Sequence, residues 1–314
     1  MNKWDSKRIA FISILIAMSI SFVIIGTRFA AVTFFPSFKL SLAGLPIKII
    51  GYIFGPLVGF ISGFTTDVIS FIFMPAFYYP LYSIALGISG MLPGIAAIIF
   101  NKKISKNRIL KRLNNKKTLV YYKMKLSIIK QNQEKLKYFE KKYEKLTKKI
   151  DKMKSWKKER YQLNYGLITS LVAISIVLIT LISIFIFIPQ EKITESFKDK
   201  GILQYIDDKI IFITIVALGI ITCMIALVVF RFKMKPQTFM QFAAIVTFVI
   251  YTEFINIPII AYADYKALRI DFMASMIGSL ATSMIKIWFN LVIISFAIKI
   301  VLPIINKKTF NGYE

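Results

Sequence analysis

The chain has 314 residues, 56% of them hydrophobic, and a mean hydropathy of +0.64. Soluble domains are about 45–50% apolar, so this composition indicates a membrane protein. The sequence contains one cysteine and no histidine, which excludes an internal disulfide, a zinc cluster and catalysis by Ser-His-Asp or Cys-His groups.

Apolar segments follow one another along the chain, and most reach the length of about 20 residues that a transmembrane helix needs. The first ends at Thr27-Arg28 without a small-residue cleavage site, so it is interpreted as a retained helix. The sequence predicts an all-α polytopic membrane protein with about eight membrane segments. These segments are 9–27, 43–54, 56–74, 80–100, 163–189, 209–232, 238–260 and 273–304.

Two prolines bracket a short stretch after the first segment. Pro36 and Pro46 enclose residues 37–45, which carry Lys39. We expect an extended, ordered loop here, because such a loop between two membrane helices suits a lid over a cavity.

A glycine stripe with a four-residue spacing follows, and such stripes let helix backbones approach closely. Pro56 suits the first turn of a new helix, so Gly55-Pro56 predicts a tight break. Asp67 lies next on the stripe, and a carboxylate inside an apolar segment is expected to face protein or water. Asp67 is therefore a candidate ligand-binding residue; the alternative is a structural carboxylate bonded to backbone or to Lys48. The stripe consists of Gly51, Gly55, Gly59 and Gly63.

A strongly basic stretch separates the fourth and fifth segments. Residues 101–160 hold 23 Lys/Arg and 5 Asp/Glu, which is most of the net charge of +26. Such a charge is compatible with nucleic-acid binding. The positive-inside rule favours a cytoplasmic insert instead, in contact with anionic lipid headgroups.

This basic stretch contains no Gly or Pro and has heptad spacing, which predicts helices. We expect a turn at Asn114-Asn115 and either a self-packed helical hairpin or an arm that docks on a partner. The apolar stripes are Leu119, Tyr122, Leu126 and Ile129, then Leu136, Phe139, Tyr143, Leu146, Ile150 and Met153.

The distribution of lysine and arginine predicts the topology. Basic residues flank the N-terminus, the insert, the 231–235 connection and the C-terminus. Both termini and residues 101–162 are therefore expected in the cytoplasm, in a multi-pass protein of the cell membrane.

Several motifs in residues 8–100 together resemble the substrate-binding S components of energy-coupling factor (ECF) vitamin transporters, and most closely the folate type. In the family, the corresponding motifs end the first helix, form the loop after it and begin the next helix. A Gly-Pro-x-x-Gly break and an Asp in the third helix follow. The motifs are Thr27-Arg28-Phe29, Pro36-Ser37-Phe38-Lys39-Leu40-Ser41, Leu45-Pro46, Gly55-Pro56-Leu57-Val58-Gly59 and Asp67.

The resemblance implies a six-helix membrane-embedded binding protein without catalysis or cofactor, which captures a vitamin and docks on a transmembrane coupling subunit driven by two ATPase subunits. The chain has no phosphate-loop motif of its own. The organisation then expected is family helices one to four in 1–100, a basic insert in 101–162, an additional transmembrane hairpin in 163–235, and family helices five and six in 236–314.

The resemblance to folate-type members also suggests a ligand set. Arg28 and Lys39 suit carboxylates. Asp67, or alternatively Glu253, suits the N–H groups of a pterin, and Asn256 lies in the penultimate segment. Aromatic residues near the fourth segment could stack on the ring. These residues also have plainer interpretations, as snorkelling anchors and an interfacial aromatic belt. The aromatic residues are Phe77, Tyr78, Tyr79 and Tyr82.

Small residues on the first helix correspond to the family's docking surface for the coupling subunit. Ser13, Ala17 and Ser21 recur at four-residue steps, and ordinary helix packing is the alternative. No metal site is expected.

Three other functions stay open at this point. The same fold could bind riboflavin or another small metabolite. A membrane enzyme could use Asp67 and Glu253 as acid and base. A membrane assembly or scaffold protein could act through the basic arm.

Overall fold

The computed structural model describes residues 6–29, 36–73, 79–101, 106–129, 131, 133–155, 158–187, 189, 191 and 209–310. This part of the chain contains ten α-helices and no strand, so the predicted all-α class is confirmed. The helices are α1 (Ser6–Phe29), α2 (Pro36–Phe54), α3 (Pro56–Phe73), α4 (Pro80–Asn101), α5 (Lys106–Ile129), α6 (Gln133–Ser155), α7 (Lys158–Phe187), α8 (Lys209–Lys233), α9 (Pro236–Leu268) and α10 (Phe272–Phe310).

Seven of the described helices are long and apolar enough to cross a membrane: α1, α3, α4, α7, α8, α9 and α10. The remaining predicted segment, 43–54, forms the C-terminal part of α2. Its apolar portion, Gly44–Phe54, is shorter than a full span. The chain is thus a polytopic α-helical membrane protein with seven full-length candidate spans and one shorter apolar helix in the described part.

The prediction of an extended loop between Pro36 and Pro46 is wrong. Helix α2 begins at Pro36 and continues through Pro46. Proline is favourable in the first turn of a helix, as at Pro36. Pro46 removes one helical N–H, and membrane helices tolerate this where neighbouring groups compensate.

Helices α2, α3 and α4 pack backbone against backbone through glycine. Gly55 separates α2 from α3 with a φ of +102°, a conformation that suits glycine. A Cβ atom on either Gly51 or Gly59 would collide with the carbonyl oxygen of Gly90 in α4. A Cβ on Gly63 would meet the Leu86 carbonyl oxygen in the same way. The stripe therefore sets the distance between these three helices.

Helix α9 is the centre of the fold, and 67% of its span is buried. It packs against α4 and α10 and also against α7 and α8. Buried apolar residues from α7 and α8, such as Ile174 and Ile220, join the same hydrophobic core as Ala244 and Phe248 of α9. Helices α7 and α8 thus lie beside the centre of the molecule.

The basic stretch forms a helical hairpin of α5 and α6. Its turn lies at Gln131, with a φ of +50°, and not at the predicted Asn114-Asn115, which lies inside α5. The α6 stripe is partly to fully buried at the described positions, and Ile150 is 2% exposed.

The stripe predicted on α5 is wrong, because all four of its residues are exposed. Val120 is buried instead, and Lys117 is partly buried with its Nζ 4.8 Å from the ring centre of Tyr143 in α6. A lysine that packs its stem on an aromatic ring is read as a surface residue when only apolar residues are counted.

Candidate functional site

Ionisable and amide side chains from three apolar helices meet near the middle of the molecule. Lys48 comes from α2, Glu253 from α9, and Lys286 with Asn290 from α10. Residues four apart lie on one helix face, which places Lys286 and Asn290 together. We call these four residues and Asn256 the central cluster.

Asn290 links the helices of the central cluster. The Nζ atom of Lys48 lies 3.6 Å from Glu253 Oε1 and donates a hydrogen bond to Asn290 Oδ1 at 3.2 Å. The Asn290 amide donates to Glu253 Oε1 at 3.1 Å and to the Lys286 carbonyl oxygen at 2.8 Å. All four residues are buried, as expected for charged groups inside membrane segments.

A small polar cavity lies beside these groups. Its volume of about 20 Å³ has room for roughly one water molecule. The described ionisable residues in its wall are Lys48, Lys286 and Glu253. Two ammonium groups thus face one carboxylate, and the wall has a formal charge of +1 when all three are ionised.

Asn256 places a hydrogen-bond acceptor at this cavity. Its amide nitrogen donates to Ser89 Oγ of α4 at 2.6 Å. Its Oδ1 atom is buried, and within the described part of the chain no group donates to it. Buried polar atoms normally have a partner, so this acceptor can receive a hydrogen bond from a water or a ligand.

A second group of polar residues lies where several helices begin or end. Ser83 donates to Asp67 Oδ2 at 2.6 Å, so α4 is bonded to α3. Asp264 of α9 accepts from the Tyr82 hydroxyl at 2.5 Å and from the Ser275 hydroxyl at 2.5 Å. We call these five residues the terminal cluster.

The structure separates the predicted ligand residues. Asp67 and Tyr82 belong to the terminal cluster and Asn256 to the central cluster, whereas Tyr79 immediately precedes α4. Lys48, considered as a partner for Asp67, pairs instead with Glu253.

Other predicted residues carry no described side-chain contact. Arg28 and Lys39 lie in α1 and α2, but their side chains are outside the described set, and Phe77 and Tyr78 lie outside the described residues. Ser13, Ala17 and Ser21 lie on an exposed face of α1.

Five residues of these clusters were not predicted from the sequence: Lys286, Asn290, Ser83, Asp264 and Ser275. The strongest signal was Lys286, a charged residue inside an apolar run with Asn290 four positions later. The serines carried no comparable signal, because hydroxyls are common in membrane helices and often bond their own backbone.

Comparisons with known proteins agree with the motif resemblance. Residues 3–124 match the family model of the ECF-type riboflavin transporter S component. The resemblance to ECF S components is confirmed. This S-component-like region covers fewer than half of the residues and extends into α5.

Two curated relatives also match. A folate transporter, FolT, from Clostridium novyi is 29% identical over 100 residues, which cover 32% of this chain and 56% of that protein. An uncharacterized protein of Mycoplasma pneumoniae, a homologue of MG098, is 29% identical over 110 residues, which cover 31% of this chain and 23% of that protein. The chain thus spans about half the length of the first relative and less of the second. No solved structure matches the chain significantly.

Proposed function

We propose that the chain is the membrane-embedded substrate-binding subunit of an ECF-type transporter and that it binds a vitamin carrying a carboxylate, with folate as the favoured ligand. The similarity of residues 3–124 to S components supports the transporter class. The observation that favours an acidic ligand is the central cavity, whose wall contains two buried lysines and one buried glutamate.

An excess positive charge inside a membrane protein is costly unless an anion neutralises it. Lys48 is already engaged with Glu253 and Asn290. A ligand carboxylate at the cavity would balance the net positive charge of its wall, which holds two lysines and one glutamate, through charge-assisted hydrogen bonds. The amide oxygen of Asn256 would accept from an N–H or O–H group of the same ligand.

Riboflavin is the second candidate, because the matching family model bears its name. Riboflavin has no carboxylate, whereas folate has two. The charge of the central cavity therefore favours folate, as does the similarity to a folate transporter. Equilibrium binding of both vitamins to the purified chain distinguishes the two.

The proposed function requires separate partner subunits. ATP hydrolysis would occur in two ATPase subunits, and a coupling subunit would dock on the exposed face of α1 that carries Ser13, Ala17 and Ser21. Arg28, Lys39 and the aromatic residues at 77–82 remain predicted contacts along the ligand's route. Cytoplasmic termini and a cytoplasmic 101–162 insert belong to the same proposal.

Purification of the solitary chain, followed by mass spectrometry of any released small molecule, tests this function. We expect a carboxylate-bearing vitamin, and saturable binding of added folate. Absence of binding by any vitamin, together with turnover of a lipid or peptide substrate, would refute the proposal.

Deletion of the basic arm tests whether the arm contributes to ligand binding. A scaffold function would depend on the arm, whereas the proposed vitamin binding does not. The α5–α6 hairpin contacts other described helices little, so replacement of residues 104–158 by a short Gly/Ser linker should leave folate binding unchanged. Loss of binding in the folded deletion variant would show that the arm belongs to the site.

A further inference from the structure

A second cavity lies next to the central one and differs from it in chemistry. It measures about 240 Å³ and lies between α7, α9 and α10. Its wall is almost entirely apolar and includes Ile176, Thr180, Tyr251, Phe254 and Met276. Helix α7 belongs to the additional hairpin, outside the S-component-like region.

One side chain lines both cavities. Ile257 lines both of them and is 5% exposed. On one side of it, Glu253 and Asn256 face the central cavity; on the other, Phe254 and Pro258 face the apolar cavity. The walls of a charged space and of an apolar one thus share Ile257, which we call the partition.

The two spaces complement each other in size. The central cavity admits roughly one water molecule, whereas sites for vitamin-sized ligands measure about 300–1,000 Å³. The apolar cavity supplies most of the missing volume. Neither space by itself offers both a charged anchor and room for a ring system.

The residue after the partition is Pro258, which interrupts the hydrogen bonding of α9. Pro258 lacks an N–H, so the carbonyl of Phe254 loses its helical donor in the wall of the apolar cavity. A β-branched side chain in a helix has one strongly preferred rotamer, so we expect Ile257 to move with the backbone, which proline makes easier to bend.

We propose that the two cavities are halves of one ligand site that Ile257 divides while the ligand is absent. The ligand's carboxylate binds beside Lys286, and its flat, largely apolar ring system occupies the space between α7, α9 and α10. This inference rests on the proposed function, and it makes the additional hairpin part of the binding site.

The test measures binding of radiolabelled folate to the full chain in lipid nanodiscs. Thr180→Trp fills the apolar cavity from α7 without touching a residue of the central cavity, and should lower folate affinity by about tenfold or more. Ile179→Trp is the matched control, because Ile179 is the neighbouring residue on the same helix and lines neither cavity. The control should stay within about twofold of the unmodified chain. Met276→Trp fills the cavity from α10 and replaces Thr180→Trp if that variant does not fold.

A second variant tests the partition. Ile257→Ala should accelerate folate association by about fivefold or more, since the obstructing side chain is removed. Ile250→Ala deletes the same atoms from a fully buried residue of the same helix that lines neither cavity. Its association rate should change by less than about twofold.

The outcomes separate this inference from the function on which it rests. Unchanged folate affinity in folded Thr180→Trp overturns the inference and leaves the proposed function intact. Retention of a phospholipid by Ile179→Trp but not by Thr180→Trp, with equal folate binding, identifies a lipid site and also overturns it. Failure of the unmodified chain to bind folate or any other carboxylate overturns both.

Discussion

The central and terminal clusters both bury polar groups among apolar helices, and both join more than two helices. In the terminal cluster, hydroxyl groups donate to the carboxylates of Asp67 and Asp264, and both oxygens of Asp264 accept. The central cluster instead borders a cavity, contains two ammonium groups for one carboxylate, and holds the acceptor of Asn256 for which no described donor exists.

This difference distinguishes a structural polar group from one that awaits a ligand. A carboxylate whose two oxygens both accept hydrogen bonds, such as that of Asp264, stabilises a specific arrangement of helices. A buried network with an unmatched acceptor and excess charge is costly by itself, and a bound ligand can remove that cost. Substitutions in the two clusters test this distinction, and their expected effects decrease from Lys48→Met to Asn256→Ala.

Lys48→Met should cause the largest loss of stability. It removes the 3.6 Å contact of Lys48 with Glu253 and its hydrogen bond to Asn290, and breaking such a buried ion pair costs about 3–5 kcal/mol of unfolding free energy. Thermal unfolding in detergent measures the change, and the double variant Lys48→Met with Glu253→Met should recover part of it. A single variant as stable as the unmodified chain would show that the pair is not a buried ionic contact.

Lys286→Met should lower folate affinity by about 10- to 150-fold, because a hydrogen bond to a charged group contributes about 1.5–3 kcal/mol. Equilibrium binding measures this loss. Lys299→Met is the control, since Lys299 is an exposed lysine of the same helix. Equal effects of the two substitutions would argue against a carboxylate beside Lys286.

Tyr82→Phe tests the terminal cluster, since it keeps the ring and removes the donor to Asp264. We expect a loss of about 1–3 kcal/mol in stability, because a buried carboxylate oxygen loses its partner. Folate affinity should remain unchanged. A large loss of affinity would place the Tyr82 hydroxyl in the ligand site.

Asn256→Ala should have the smallest effect. Loss of one neutral hydrogen bond to the ligand lowers affinity by about 2- to 10-fold. The Ser89 hydroxyl loses the donor from Asn256 but keeps its own hydrogen bond to the Ala85 carbonyl oxygen, so thermal stability should change little. An unaltered affinity, measured beside Lys286→Met, would mean that the ligand does not reach Asn256.

The sequence predicted the all-α polytopic class because apolar runs of membrane length are unambiguous. It failed at Pro36–Leu45, where two prolines suggested an extended loop although a membrane environment tolerates them in a helix. It also failed on α5, because a lysine can occupy a packing position beside an aromatic ring.

The candidate site was harder to predict for a physical reason. Lys48, Glu253 and Lys286 are visible in the sequence as charges in apolar segments, but their pairing depends on how helices far apart in the chain come together. Asp67 was the prominent candidate by position on the glycine stripe, yet its contact with Ser83 could not be read from spacing. The division of two cavities by Ile257 has no sequence signature.

The central claim is that the buried lysines of the central cluster select a carboxylate ligand. Competition binding of folate against its neutral glutamate diamide, in the unmodified chain and in Lys286→Met, tests it most directly. The prediction is that the diamide binds the unmodified chain at least about tenfold more weakly than folate, and that Lys286→Met reduces this difference sharply. Equal affinity of both compounds for the unmodified chain would contradict the claim.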